Sequence, residues 1–136
     1  MIICYLSLGS NLQTPQRQIC LAIQTISKMP RTHLIAVAPL YFNPAVGRKA
    51  QPPFCNTVVK ILTSLSPENL HQQCLTIEQK HQRIRKIRWN ARTLDIDILY
   101  YGDRKIQTHA LTIPHPRILE RPFVLEPLKY LQSIQS

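Results

Sequence analysis

Residues Arg92–Gly102 read RTLDIDILYYG and predict a strand, because Leu, Ile and Tyr dominate the run and a Gly-Asp turn signal follows it. Side chains alternate across a strand, so Asp95 and Asp97 are expected to project from one face. The intervening Leu and Ile side chains are expected to project from the other face, into a core. Two carboxylates on one face repel each other and resist desolvation. Such a strand therefore requires basic side chains, a metal ion or open water beside its acidic face.

The elements around this strand predict an α+β fold of a single domain spanning 1–136. In order, we expect a strand at Ile2–Leu8, a helix from Thr14–Pro15 to Pro30, strands at His33–Tyr41 and Phe54–Leu62, a helix starting at Ser66, and the acidic strand. This β-α-β-β-α-β order is that of a ferredoxin-like antiparallel sheet with helices packed on it. Lys105–Gln107 is expected to pair in an appended hairpin. The proline-broken tail from Thr112 is expected to form short helical pieces at most.

Composition restricts the partner and the compartment. The net charge of +10, from 17 Lys+Arg and 7 Asp+Glu, indicates an anionic partner: nucleic acid, a membrane surface or a polyphosphate. No apolar run is long enough to span a membrane, and the apolar N-terminus lacks the basic region and cleavage site of a signal peptide. The four cysteines show no C-x-x-C spacing and lie in apolar stretches, which predicts buried, reduced thiols and a cytoplasmic protein.

A basic stretch, Lys80–Arg92, leads directly into the acidic strand and contains no acid. Most charge runs are solvated loops, but arginines beside a carboxylate pair also suit a metal-bound polyphosphate. No His or Cys lies near the two acids in sequence, which favours an oxygen-preferring ion over zinc. The glycines form neither a P-loop nor a Rossmann motif, so a nucleotide would be held in another way.

Aromatic residues and a histidine add candidates with two interpretations. Phe54 and Phe123 are core residues by default. Trp89 lies among cations, where stacking on a flat ring or an arginine is the more natural role. His115 lies between two prolines and is either a turn residue or a phosphate contact.

The sequence resembles the 6-hydroxymethyl-7,8-dihydropterin pyrophosphokinase family, whose members transfer pyrophosphate from ATP to the pterin hydroxymethyl group and release AMP. The resemblance rests on RWNARTLDIDILYYG and LTIPHPRILERPFVLEPL, and on YLSLGSNL and QPPFCNTVVKI earlier in the chain. It implies that Asp95 and Asp97 hold two Mg²⁺ ions, and that Arg83 and Arg92 grip the triphosphate as catalytic residues. It further implies two sets of binding residues. For ATP these are Glu78, Arg83, Arg85, Arg92, Ile98, Thr112, His115 and Arg121. For the pterin they are Pro44, Val46, Phe54, Asn56, Trp89, Asp95 and Phe123.

Two other functions are compatible with parts of the sequence. A ferredoxin-like sheet with a charge of +10 suits a small RNA-binding module, although the aromatic RNA-binding motif is absent and two acids occupy the sheet. An inactive regulatory domain is disfavoured by the intact acids, arginines and His115. The resemblance implies a monomer that binds ATP and hydroxymethyldihydropterin, with neither a nucleic acid nor a membrane as partner.

Overall fold

The computed structural model describes residues 1–10, 14–43, 54–84 and 94–134 of the chain. The elements are β1 (Ile2–Ser10), α1 (Pro15–Ser27), β2 (Thr32–Val37), β3 (Tyr41–Asn43), β4 (Phe54–Thr63), α2 (Pro67–Ile84), β5 (Asp95–Tyr101), β6 (Ile106–Gln107), β7 (Thr112–Ile113), a 3₁₀ turn (Ile118–Glu120) and α3 (Pro122–Ser133). None of the described helices is both long and apolar enough to cross a membrane.

The sheet confirms the predicted α+β, ferredoxin-like architecture. Among the described residues, β2, β4, β1 and β5 lie in that order, all pairings are antiparallel, and β3 also pairs with β4. The expected hairpin is present as β6 paired with β7. The turn after β5 is made by Gly102 at φ 54, where the absence of a side chain avoids strain.

Two apolar clusters cover the two faces of the sheet. The larger cluster packs α1 and α2 on one face, and it buries Leu94, Ile96 and Ile98 as the alternation predicted. The smaller cluster packs α3 on the opposite face. Its members are Tyr5, Ala38, Val58, Leu99, Ile118, Val124, Leu128 and Leu131. The face bearing Asp95 and Asp97 is thus the face that α3 covers in part.

The predicted strand His33–Tyr41 is wrong in its extent, because the structure divides it into β2 and β3. The break falls at Pro39, which lacks the N–H that a continuing ladder would need. The neighbouring Ala38 stays attached to β4: its N–H donates to the Val58 carbonyl at 3.0 Å, and its carbonyl accepts from the Thr57 hydroxyl at 2.8 Å.

The expectation of only short helical pieces in the tail is also wrong. Pro122 stands at the start of α3, where its missing N–H costs nothing, and α3 continues for 12 residues through Pro127. An internal proline removes one helical hydrogen bond. Burial of Val124, Leu128 and Leu131 against the sheet offsets that loss.

The thiols follow the prediction with one exception. All four cysteines are free, and Cys4, Cys55 and Cys74 are buried, whereas Cys20 is exposed on α1. Burial raises the pKa of Cys4 and Cys74 to about 12 and that of Cys55 to about 11. These three thiols therefore stay protonated and behave as small apolar side chains.

We expect Leu128→Ala to lower the free energy of unfolding by about 2–5 kcal/mol, because Leu128 is only 2% exposed between α3 and the sheet. Tyr130→Ala is the matched control on the same helix, since Tyr130 is 45% exposed; its effect should stay within about 0.5 kcal/mol. Urea unfolding of both variants tests this, and equal losses would contradict the packing of α3.

Candidate active site

A cavity of about 360 Å³ opens on the α3 face of the sheet, beside the N-terminal end of α3. Its walls come from β1, β4, β5 and the start of α3. The lining residues are Ser7, Leu8, Gly9, Phe54, Asn56, Asp95, Asp97, Arg121, Phe123 and Val124. Six residues predicted to bind the pterin, ATP or metal (Phe54, Asn56, Asp95, Asp97, Arg121 and Phe123) therefore meet in one cavity.

Strand register brings these residues together. Gly9 of β1 lies opposite Asn56 on one side and opposite Asp95 on the other. Two residues earlier, Ser7 lies opposite Asp97. Because the side chains of paired residues lie on the same face, the polar groups form a patch across three adjacent strands.

Gly9 gives the Asn56 side chain its room. A Cβ at position 9 would lie 2.6 Å from Asn56 Oδ1, well inside contact distance. The Asn56 side chain thus lies against Gly9 of β1, where no Cβ is in its way. Asn56 is only 6% exposed, and its Nδ2 has no hydrogen-bond partner among the described residues. A buried donor without a partner is costly, which favours a ligand acceptor at this point.

The two phenylalanines are not ordinary core residues. Phe54 is 37% exposed at the beginning of β4, and Phe123 is partly buried near the start of α3. Both rings are therefore partly exposed in the empty protein. Their shared cavity supplies apolar surface for a flat ring.

Both acids are half-buried and line this cavity. Asp97 also lines a second, smaller cavity, so it lies between the two. Within the described residues no group of three His, Cys, Asp or Glu side chains forms a protein-only metal cage. Two carboxylates without a third ligand suit Mg²⁺, which usually binds one or two carboxylates together with phosphate oxygens and waters.

The second cavity, of about 210 Å³, lies at the outer edge of β5, between α2 and the segment containing β7. It contains three residues predicted to bind ATP, namely Ile98, Thr112 and His115. His71, Ile96, Asp97, Ala110, Leu111 and Pro116 complete the lining. At this edge the Ile96 N–H points away from β1 and donates to Glu78 Oε2 at 2.7 Å. Alternation along the strand turns the N–H and carbonyl of Ile98 the same way.

His115 is held in one tautomer by its neighbours. Its Nδ1 accepts a hydrogen bond from the Arg117 N–H at 3.2 Å, so the neutral ring carries its proton on Nε2. That atom lies 4.0 Å from Asp97 Oδ2. Burial lowers the pKa of His115 below its ordinary value; Arg121 and Arg117 lower it further, and Asp97 opposes them. The neutral ring can therefore donate from Nε2 toward an acceptor beside Asp97.

Several predicted residues cannot be placed. Pro44, Val46, Arg85, Trp89 and Arg92 lie outside the described residues, as does the side chain of Arg83, although its backbone forms the last turns of α2. Their predicted roles stay predictions. In the described part, the prediction missed Ser7, Gly9 and His71. The motif LGSN marks Gly9 as unusual within a strand, but its purpose requires the register with Asn56.

Comparison with known proteins shows which family the chain belongs to. A family model described as 7,8-dihydro-6-hydroxymethylpterin-pyrophosphokinase matches residues 5–133. A Haemophilus influenzae protein named 2-amino-4-hydroxy-6-hydroxymethyldihydropteridine pyrophosphokinase is 44% identical over 133 residues, covering 98% of this chain and 83% of its own. A Pseudomonas aeruginosa protein of the same name is 41% identical over 124 residues, covering 91% and 76%.

The same domain also occurs inside a longer protein. The Schizosaccharomyces pombe folic acid synthesis protein fol1 is 42% identical over 126 residues, which is 93% of this chain but 17% of that protein. With a family model that spans nearly all of its length, the chain belongs to the 7,8-dihydro-6-hydroxymethylpterin-pyrophosphokinase family.

Proposed function

We propose that this chain transfers a pyrophosphoryl group from ATP to 6-hydroxymethyl-7,8-dihydropterin, giving AMP and the pterin diphosphate for folate biosynthesis. One observation carries the assignment of roles: Asp97 lies between an aromatic cavity with a buried amide and a second cavity at the edge of β5. The first cavity suits the pterin, and the second suits the nucleoside of ATP.

The pterin would be held by shape and by one polar edge. Phe54 and Phe123 offer ring surface in the cavity that Asn56 also lines, and the Asn56 Nδ2 is a buried donor without a partner among the described residues. A flat heterocycle with an acceptor on its edge satisfies both features. The cost of a buried unpaired donor then favours the bound state over the empty one.

ATP would lie with its base at the β5 edge and its phosphates beside Asp97. The outward backbone of Ile98 and the exposed Thr112 suit polar groups of the nucleoside. His115 Nε2–H would donate to a phosphate oxygen, since Nδ1 is already engaged. Arg121, which lines the first cavity, would add positive charge on the other side of Asp97.

Asp95 and Asp97 fit two Mg²⁺ ions in the chemistry of their oxygen donors. When bound, the metal would neutralise phosphate charge and act as a Lewis acid toward the phosphoryl group. The protein's own contribution is positioning: the hydroxymethyl group points from the aromatic cavity toward the β-phosphorus. The hydroxyl oxygen would bond to the β-phosphorus while the bond from that phosphorus to the α-phosphate oxygen breaks, and AMP would leave. The hydroxyl proton would pass to a carboxylate, and Asp95 is well placed because it lines the aromatic cavity and not the second one.

The RNA-binding alternative is disfavoured by the position of α3. Ferredoxin-like RNA-binding modules stack bases on an open sheet face. Here α3 packs on that face through Val124, Leu128 and Leu131, and two carboxylates occupy part of the rest. We further propose a monomeric protein without a nucleic-acid partner. The free, buried and protonated thiols of Cys4, Cys55 and Cys74 support a cytoplasmic location.

Release of AMP from ATP and Mg²⁺, dependent on hydroxymethyldihydropterin, tests the proposed reaction directly. Asp97→Ala should abolish it, because the substitution removes a carboxylate that lies between both cavities. Its free energy of unfolding should stay the same or rise, since one of two like charges is removed. Asp103→Ala is the control, as Asp103 is an exposed turn residue. Near-wild-type turnover of Asp97→Ala at saturating Mg²⁺ would exclude the two-metal site.

We expect Asn56→Leu to stabilise the empty protein while weakening pterin binding. The substitution removes a buried donor without a partner, which costs about 1–3 kcal/mol, and fills the same space with apolar atoms. The stability change is read by urea unfolding and the affinity by calorimetry with the pterin. A variant that is less stable yet binds the pterin normally would show that Asn56 has a structural role.

Phe54→Ala and Phe123→Ala separate cavity walls from core residues. Walls of a ligand cavity lose little stability when truncated, and pterin affinity should collapse in both variants. A core phenylalanine would instead lose about 3–5 kcal/mol of unfolding free energy. Phe42→Ala is the control, since Phe42 is half exposed on β3 and does not line the cavity. Large stability losses with normal pterin affinity would contradict the proposed binding slot.

A further inference from the structure

His71 lies in the second cavity although nothing in the sequence pattern marked it as a site residue. It stands one turn into α2 and is partly buried, and it joins Ile98, Leu111 and Thr112 in the lining. Within the described residues its imidazole makes no hydrogen bond, so both ring nitrogens are available to a ligand. His71 thus brings a polar ring to a cavity that otherwise offers backbone, aliphatic side chains, Thr112 and the pair His115–Asp97.

The direction of α2 shows which end of a nucleotide His71 would meet. The Tyr101 hydroxyl bonds to the Leu65 carbonyl just before α2, whereas Glu78 bonds to the Ile96 N–H. Helix α2 therefore runs antiparallel to β5, with its beginning beside the end of the strand. His71 precedes Glu78 by seven residues, about two turns and roughly 10 Å along the helix axis. That distance places His71 beyond Asp97 toward the C-terminal end of β5, at the level of Ile98 or slightly farther.

Phosphates would lie near Asp97, so the group that reaches His71 is the nucleobase. Asp97 lies one strand residue, about 3.3 Å, nearer to His71 than Ile96 does, so roughly 7 Å along the strand separates Asp97 from the level of His71, which leaves room for the sugar and base beyond the inner phosphate. We propose that His71 hydrogen-bonds the edge of the purine and determines the base preference of this site. The inference rests on the proposed ATP site and adds to it a specificity-determining side chain on α2. His115, the other histidine of the cavity, is bound to the Arg117 N–H and directed at Asp97, so it serves the phosphates.

The test measures binding in the absence of pterin, so that it does not depend on turnover. Wild type, His71→Leu and His71→Gln are titrated with Mg²⁺ and each of three nucleotides. These are ATP, 7-deaza-ATP, which lacks the ring acceptor N7, and purine riboside triphosphate, which lacks the 6-amino group. His33→Leu serves as the control, because His33 is exposed on β2, at the opposite edge of the sheet from β5. Leucine is a good helix former, so α2 should persist in His71→Leu.

We expect at least one analogue to bind wild type about fivefold more weakly than ATP, the loss of one neutral hydrogen bond. In His71→Leu the difference between ATP and that analogue should vanish, and ATP itself should bind about fivefold more weakly than to wild type. His71→Gln keeps a donor and an acceptor, so it should retain part of the wild-type affinity for ATP. His33→Leu should behave as wild type. The proposal is overturned if wild type does not bind ATP, if no analogue differs from ATP, or if the differences persist in His71→Leu. Binding that depends on His71 without pterin-dependent AMP release would instead refute the proposed reaction and leave this inference standing.

Discussion

The register of β1 between β4 and β5 is the constraint on which the site depends. It aligns Gly9 with Asn56 on one side and Asp95 on the other, and Ser7 with Asp97. A shift of β5 by one residue against β1 would turn the acids into the apolar cluster beneath α1 and α2, and the same shift of β4 would turn Asn56 into it. That cost fixes the register: Leu6, Leu8, Ile96 and Ile98 must face that cluster, and the acids consequently face the cavity. The core therefore positions the chemistry.

Several features of the site lower the stability of the ligand-free protein. The site includes a buried Asn56 amide nitrogen without a partner among the described residues, two half-buried carboxylates on one strand, and a glycine within a strand. Each feature is unfavourable in the absence of ligand. The same groups supply a donor, anionic oxygens and open space, which are the features that a pterin and a metal-bound triphosphate require. A ligand acceptor beside Asn56 and a cation beside the two acids would offset the first two of these costs.

The sequence predicted the element order and the two faces of β5, because alternation and apolar periodicity follow directly from burial. It could not predict where alternation fails. A bulge beside Tyr5 and Leu6 inserts Leu99, which packs under α3, and Tyr101 returns to the opposite face. Helix α3 escaped prediction because its stability comes from packing on the sheet, which overrides Pro127. The sequence did not identify His71 as a cavity residue, because a single histidine on a helix carries no pattern and its position beside the edge of β5 is known only from the fold.

Different parts of the fold build the aromatic cavity and the second cavity. Strand faces and α3 build the aromatic cavity, whose shape depends on side chains of the sheet. The edge of β5, α2 and the segment containing β7 build the other cavity. There the Ile96 N–H is bonded to Glu78, and the backbone of Ile98 faces outward because no strand pairs at this edge among the described residues. Asp97 belongs to both cavities because it lies on the face near that edge. In the proposed complex, this edge strand would offer its backbone to the nucleotide instead of pairing with another strand, and Asp97 would lie between the nucleotide and the acceptor substrate.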